Sequence, residues 1–548
     1  LGLSRRSWLA RALALGAAGA GTGCGVPVAP QPDGKRTTPR RVPSMAASER
    51  VIAPGGTDPL SASEWRGDAD PFTLGVASGL SGSGLATIWT RLAPRPLEDG
   101  GGLDPVPLRV RWEVLEAEGT TVLRSGVVLA DPAWAHSVRV ELDGLTPGRV
   151  YRYRFASGSA ASPVGRLRTP PSAGEGARLR AVFASCQQYE QGHFAAWSHA
   201  LAEDPDLVLF LGDYVYESSW GRRLVRRHDP GVPRTLDAYR RRHALYRGDP
   251  DLQAAHGGCA WVVTWDDHEV ENDYAADLSQ RGEPREAVLG RRAAAYRAYF
   301  EHMPLPWSMA PAGASMRLHG HLDWGGLARI HVLDDRQYRS QQACSPPGFA
   351  GSRVVGPDCE ARLDPARTML GAEQEAWLAG SLREARTRWN LLAQQTLIGR
   401  CDQRPGPDEG WWTDGWDGYP AARRRLLEAV RVAGSSNPIA LGGDVHAFHA
   451  GELHEDFDRP QARAAMLEFV GGSITSQGPN QTRVDALLSE NPNLRWGVGG
   501  VNGYGLIELS RDSASVSMRG IGDATDRATG VRTLRRFEIR DGSGRLEG

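Results

Sequence analysis

Asp206-Leu207-Val208-Leu209-Phe210-Leu211-Gly212-Asp213-Tyr214-Val215-Tyr216 decides the fold class of this chain. Its apolar run is short, unbroken and closed by glycine, the pattern of a strand buried on both faces rather than of a strand with one wet side. A carboxylate and a phenol follow three residues apart, beyond the carboxyl end of that strand, where open α/β sheets gather their ligand groups. A phenolate is a hard anionic donor suited to Fe(III), so the stretch points to a metal as well as to a sheet.

Three further apolar runs end the same way. Leu179 to Ala184 leads to Cys186, Ala260 to Trp265 leads to Asp266-Asp267-His268-Glu269, and Pro438 to Leu441 leads to Asp444-Val445-His446. Taken singly each is ambiguous, because a buried cysteine is commonly a small hydrophobe and an aspartate after a strand is commonly a helix cap. Two carboxylates and an imidazole crowded behind an apolar strand are costly unless a cation neutralises them. Four such elements in one region read as a metal-dependent phosphoesterase.

At 548 residues and 41% apolar content the chain is sized for two domains plus a leader. A net charge of −1 argues against a dedicated nucleic-acid binder, and the short arginine runs at Arg240-Arg241-Arg242 and Arg423-Arg424-Arg425 read as solvated helix faces. Residues 69–171 carry alternating segments separated by turn residues, and are expected to form a small fibronectin/Ig-like antiparallel β-sandwich. Within it Leu142 to Tyr151 looks like a corner whose tyrosine hydroxyl bonds back to the preceding turn. After Thr169-Pro170-Pro171-Ser172, apolar strands alternate with helical segments, so residues 178–548 are expected to form a layered α/β sandwich whose sheet finishes with antiparallel pairing.

The first 30 residues resemble a twin-arginine export signal, with Ser4-Arg5-Arg6-Ser7-Trp8-Leu9 ahead of an Ala/Gly/Leu stretch too short and too weakly apolar to span a membrane. Residues 31–68 read as a flexible linker. The expected location is therefore periplasmic or extracellular, with the twin-arginine machinery as partner and no transmembrane anchor. Cys24 after Gly21-Thr22-Gly23 is a weak match to a lipoprotein cleavage site, which makes lipid anchoring the minor reading. Cys344 and Cys359 flank a Pro/Gly-rich loop and are the best disulfide pair; Cys259 and Cys401 read as buried small hydrophobes.

These strings, together with Trp89-Thr90-Arg91-Leu92, Leu333-Asp334-Asp335-Arg336-Gln337-Tyr338-Arg339, Leu391-Leu392-Ala393-Gln394-Gln395 and Trp416-Asp417-Gly418-Tyr419-Pro420, resemble the alkaline phosphatase D (PhoD-like) family of the calcineurin-like metallophosphoesterases. The resemblance implies a metallophosphoesterase-type sandwich holding Fe(III) and one or more Ca(II). Iron would take Cys186, Asp213, Tyr216 and His446, with Asp213 bridging to calcium on Asp267 and Asp444. Gln394 or Gln395 stands where related enzymes carry a further histidine ligand, while Asn272 and Glu269 are candidates for calcium or for bonding to His268. His268 would serve the leaving group and Arg336 would grip phosphate, with Asp213 at the centre. The implied activity is that of an alkaline phosphatase, in which metal-activated hydroxide hydrolyses phosphate monoesters. The alternatives are a phospholipase D-like or other phosphodiesterase, or an inert extracellular binding protein on the same fold.

Overall fold

A computed structural model describes residues 59–81, 85–174, 178–228 and 231–546. The expected export signal, Cys24 and most of the expected linker lie outside these residues. Two large sheets organise the molecule. The first has nine strands, in the order Val531–Arg540, Ser513–Ile521, Gly503–Leu509, Leu179–Ala184, Leu207–Leu211, Ala260–Thr264, Val76–Ser81, Leu85–Arg91 and Ser137–Leu142. The second has seven, in the order Gly320–Trp324, Ala328–Val332, Trp389–Ala393, Pro438–Gly442, Met466–Gly471, Phe448–Leu453 and Leu494–Val498.

Strand alternation divides each sheet into an inner and an outer face. Phe183, Leu207, Leu209 and Leu211 of the first sheet share one apolar core with Ile330, Leu391, Ile439, Leu441 and Phe469 of the second. The intervening residues Val182, Val208, Phe210 and Val263 face a helical layer that includes Arg285–His302, and Leu392 and Ala440 face helices Gly371–Glu384 and Pro420–Val432. The result is two sheets between two helical layers, and strands Leu207–Leu211, Ala260–Thr264 and Trp389–Ala393 at its centre are buried throughout.

The antiparallel layer expected within residues 69–171 is present as Val122–Ala130, Leu108–Glu116, Val150–Ser157 and two short strands. Its Val110, Trp112 and Phe155 pack into the same core as the two large sheets. The other strands of this region, Val76–Ser81, Leu85–Arg91 and Ser137–Leu142, pack against that layer and also extend the nine-stranded sheet, because Val76–Ser81 pairs in parallel with Ala260–Thr264. Gly79 of Val76–Ser81 lets Pro304 approach closely, since a Cβ there would lie 2.1 Å from its carbonyl oxygen. Thr146 N–H donates to the Tyr151 hydroxyl at 2.9 Å, the corner bond the sequence foretells. The chain's last strands pair antiparallel, as expected. Cys344 and Cys359 form a disulfide, while Cys259 and Cys401 are buried free thiols. Among the described residues no helix is long and apolar enough to cross a membrane.

Candidate metal centre

Parallel strands Leu179–Ala184, Leu207–Leu211 and Ala260–Thr264 end at one edge of the first sheet, and the loops that follow them meet. Cys186 N–H donates to Gly212 O and Gln187 N–H to Asp213 O, both at 3.1 Å. Glu269 holds two of the loops together, accepting from Tyr214 N at 2.6 Å and from Asp266 N at 2.9 Å. Gly212 permits the crossing: its φ is +110°, and a Cβ there would fall 2.5 Å from that of Asp266. Cys186, Asp213, Asp444 and His446 also adopt positive φ, between 52° and 63°. Such backbone costs on the order of 1–3 kcal/mol per non-glycine residue, a strain that clusters at functional sites.

Two triads of donor atoms result, each with its atoms within 4.8 Å of one another. Cys186, Asp213 and His446 make one; Asp213, Asp267 and His268 make the other, so Asp213 belongs to both. Tyr216, fully buried, donates its hydroxyl to Asp213 Oδ2 at 2.8 Å, accepts from Ser476 Oγ at 2.8 Å and lies 3.3 Å from His446 Nε2. Asp444 lines the same cleft with a buried, unpartnered Oδ2, but belongs to neither triad. Asp273, which no sequence motif marks, forms a third cluster with Asp267 and Asp414. There Asp414 already accepts from Arg336, Arg339 and Gln342, at 2.7, 2.7 and 2.8 Å.

Other predicted residues take supporting places. Arg336 is fully buried, bonded to Asp266 and Asp414 with Nη2 at 3.7 Å from Asp267, and it does not line the cleft. The guanidinium bonds two carboxylates, Asp266 and Asp414, and faces a third, Asp267. Gln395 donates to Thr264 Oγ1, Trp265 O and Leu333 O, Gln394 bonds Thr396, and Glu269 is spent on backbone. Asn272 donates to Gln280 at 3.4 Å. His268 Nδ1 lies 2.7 Å from Glu217 Oε2, a partner that the sequence does not announce although it directly follows Tyr216. His446 Nδ1 bonds Gln477 O at 2.9 Å, which turns Nε2 toward Tyr216, and Trp220 stacks on the ring.

The electrostatics ask for a cation. Burial, reinforced by neighbouring carboxylates, raises the Cys186 thiol, the Asp213 carboxyl and the Tyr216 phenol well above their usual ranges, and Asp444 is pushed up to about 8. Burial lowers His446 to about 4, leaving a neutral ring with a lone pair for a ligand. Oδ1 of Asp213 and Oδ1 of Asp267 are buried without any hydrogen-bond partner. Orphaned anionic oxygens around a thiol, a phenol and a neutral imidazole fit a pair of cations, one tolerant of sulfur and phenolate and one preferring oxygen.

The family model for PhoD-like phosphatases matches residues 181–518, and that for their N-terminal domain matches residues 59–171. The chain belongs to the PhoD-like phosphatases. It is 44% identical over 438 residues to alkaline phosphatase D of Bacillus subtilis (strain 168), covering 78% of this chain and 73% of that protein. A solved structure of PhoD superposes with a TM-score of 0.84 at 40% identity, covering 88% of this chain and 92% of that one. Purple acid phosphatase PPD1 from yellow lupin (Lupinus luteus) seeds shares the fold, with a TM-score of 0.51 at 13% identity over 85% of this chain and 73% of its own. This PhoD-like chain is accordingly a phosphoric ester hydrolase, and its two triads are candidate metal sites.

Proposed function

We propose that the protein is an exported phosphatase that hydrolyses phosphate monoesters at a centre of one Fe(III) and one or more Ca(II). The observation that carries this reading is the double membership of Asp213, which places one carboxylate within reach of both triads. Cys186, Asp213, Tyr216 and His446 would hold iron; Asp213, Asp267 and Asp444 would hold calcium, with Asp273 beside them. When bound, the cations supply positive charge for the ester oxygens and bring the pKa of water far below the ~15.7 of bulk.

The chain's own groups do the rest. Glu217 fixes the tautomer and orientation of His268, so that its Nε2 faces the cleft and can hand a proton to the departing alkoxide oxygen. Arg336 keeps the charge of Asp266 and Asp267 tolerable in a dry interior and holds Asp267 in position. Tyr216 and Trp220 wall the site on the His446 side, with Trp220 stacked on the imidazole. Export through the twin-arginine machinery rests on Ser4-Arg5-Arg6 and would carry the protein across folded. The division at residues 30, 68 and 171 into signal, linker, sandwich and catalytic region belongs to the same proposal.

Purified protein supplied with Fe(III) and Ca(II) is assayed on p-nitrophenyl phosphate and on bis(p-nitrophenyl) phosphate. Faster turnover of the monoester supports the proposal; preference for the diester moves the assignment to a phosphodiesterase, and inertness toward both overturns it.

A further inference from the structure

The cleft, about 580 Å³, extends past the metal-ligand candidates along a wall that the chemistry above leaves unused. His449 lies on that wall, 3% exposed, and its ring has no hydrogen-bond partner among the described residues. Gly497, its partner on the neighbouring strand, makes room: a Cβ there would sit 2.9 Å from His449 Nδ1, so the opposite ring nitrogen is the one left for the cleft. Arg483 reaches the same wall from helix Gln481–Glu490. Its Nη2 donates to Gln403 O at 2.9 Å and to Gln403 Oε1 at 2.8 Å, both uncharged, and no carboxylate pairs with it among the described residues. Among those residues Nε and Nη1 are left without partners. Leu397 and Leu487 line the wall beside them.

We infer that His449 and Arg483 form a subsite for a second anionic group, phosphate or carboxylate, on the part of the ester that is not attacked. This rests on the ester-hydrolase reading above and names its substrate class: esters whose remaining portion carries its own negative charge. A guanidinium with Nε and Nη1 free and no counter-ion keeps N–H donors for an oxyanion, each used singly because Nη2, which would complete either fork, is taken by Gln403. A neutral imidazole adds one directional bond. The reach is suitable, because three residues of extended chain place His449 no more than about 10 Å along the backbone from His446. A small sugar ring spans such a gap.

The test compares phosphate release from fructose bisphosphate and from fructose monophosphate by the metal-replete enzyme, with p-nitrophenyl phosphate as the uncharged-substituent control. The wild type should favour the bisphosphate in kcat/KM by about tenfold, beyond the statistical factor for two ester groups. R483Q should bring that preference close to parity, and H449Q should reduce it in part. Equal rates in the wild type, or losses in R483Q that fall on both sugar esters in the same proportion, would overturn the subsite while leaving the hydrolase standing. Inactivity of the wild type on all three esters would remove both.

Discussion

His268 Nδ1 and Glu217 Oε2 lie 2.7 Å apart, the acid 1% exposed and also accepting from Asn272 N at 3.2 Å. The pair fixes which face of the imidazole looks into the cleft. With proton delivery set by that orientation, H268A should lower kcat by about 10²–10⁴-fold, the usual range for a lost general acid or base. E217Q should cost less and should move the alkaline limb of the pH–rate profile to lower pH, because the imidazolium loses its anionic partner. A profile of unchanged shape in E217Q would reduce Glu217 to a packing role.

Tyr216 is the test of iron. Its hydroxyl reaches Asp213 and His446 together, so a ferric ion held there gains a phenolate ligand and a visible charge-transfer band. Y216F should abolish the band and weaken iron retention on dialysis. A fully iron-loaded enzyme without colour would contradict the ligand set.

Calcium should act on stability as well as on rate. Binding at a hundred times the dissociation constant stabilises a native state by about 2.7 kcal/mol, read as a rise in Tm. Adding Ca²⁺ to chelator-treated wild type should therefore raise Tm and restore activity. D267N should blunt both responses, and an unaltered calcium-dependent shift in D267N would place the ion elsewhere.

His331 reports acid sensitivity away from the metal centre. Burial lowers its pKa to about 4, so the folded protein holds it neutral while the unfolded chain protonates it near the usual value. Its contribution is then complete above pH ~6.5 and is lost as pH falls through the window toward 4, about 2 kcal/mol by pH 5. H331Q should shrink the difference in unfolding free energy between pH 7 and pH 5 by that amount.

The Cys344–Cys359 bridge closes a short loop, with a sequence separation of 15. C344S/C359S should lower the unfolding free energy by about 3 kcal/mol through the freed denatured chain. No change in the denaturant midpoint would mean that the loop is already held by its other contacts.

The central strands were legible because burial on both faces writes a continuous apolar run, and the runs at Leu179–Ala184 and Leu207–Leu211 match their strands residue for residue. The candidate donor residues stood out only as a group, since four polar elements set immediately behind such runs converge although each alone is ambiguous. What the letters did not carry was direction. Arg336 resembles a phosphate-binding side chain in sequence, yet its carboxylate partners come from Asp266 and Asp414, both remote along the chain. Glu217 was overlooked because a glutamate after an aromatic residue has no signature of its own. Helices Pro250–Gly258 and Gln481–Glu490 were missed, the first a short segment ending in Gly257-Gly258. The continuation of the first sheet into Val76–Ser81 is a long-range parallel pairing, which no local pattern announces.

That pairing bears on how the molecule can be cut and made. If residues before 171 were removed, strand Ala260–Thr264 would become a bare apolar edge, a template for intermolecular strand addition. The shortened polypeptide should precipitate rather than behave as a small autonomous enzyme, and during synthesis one edge of Val76–Ser81 must wait for a strand made much later.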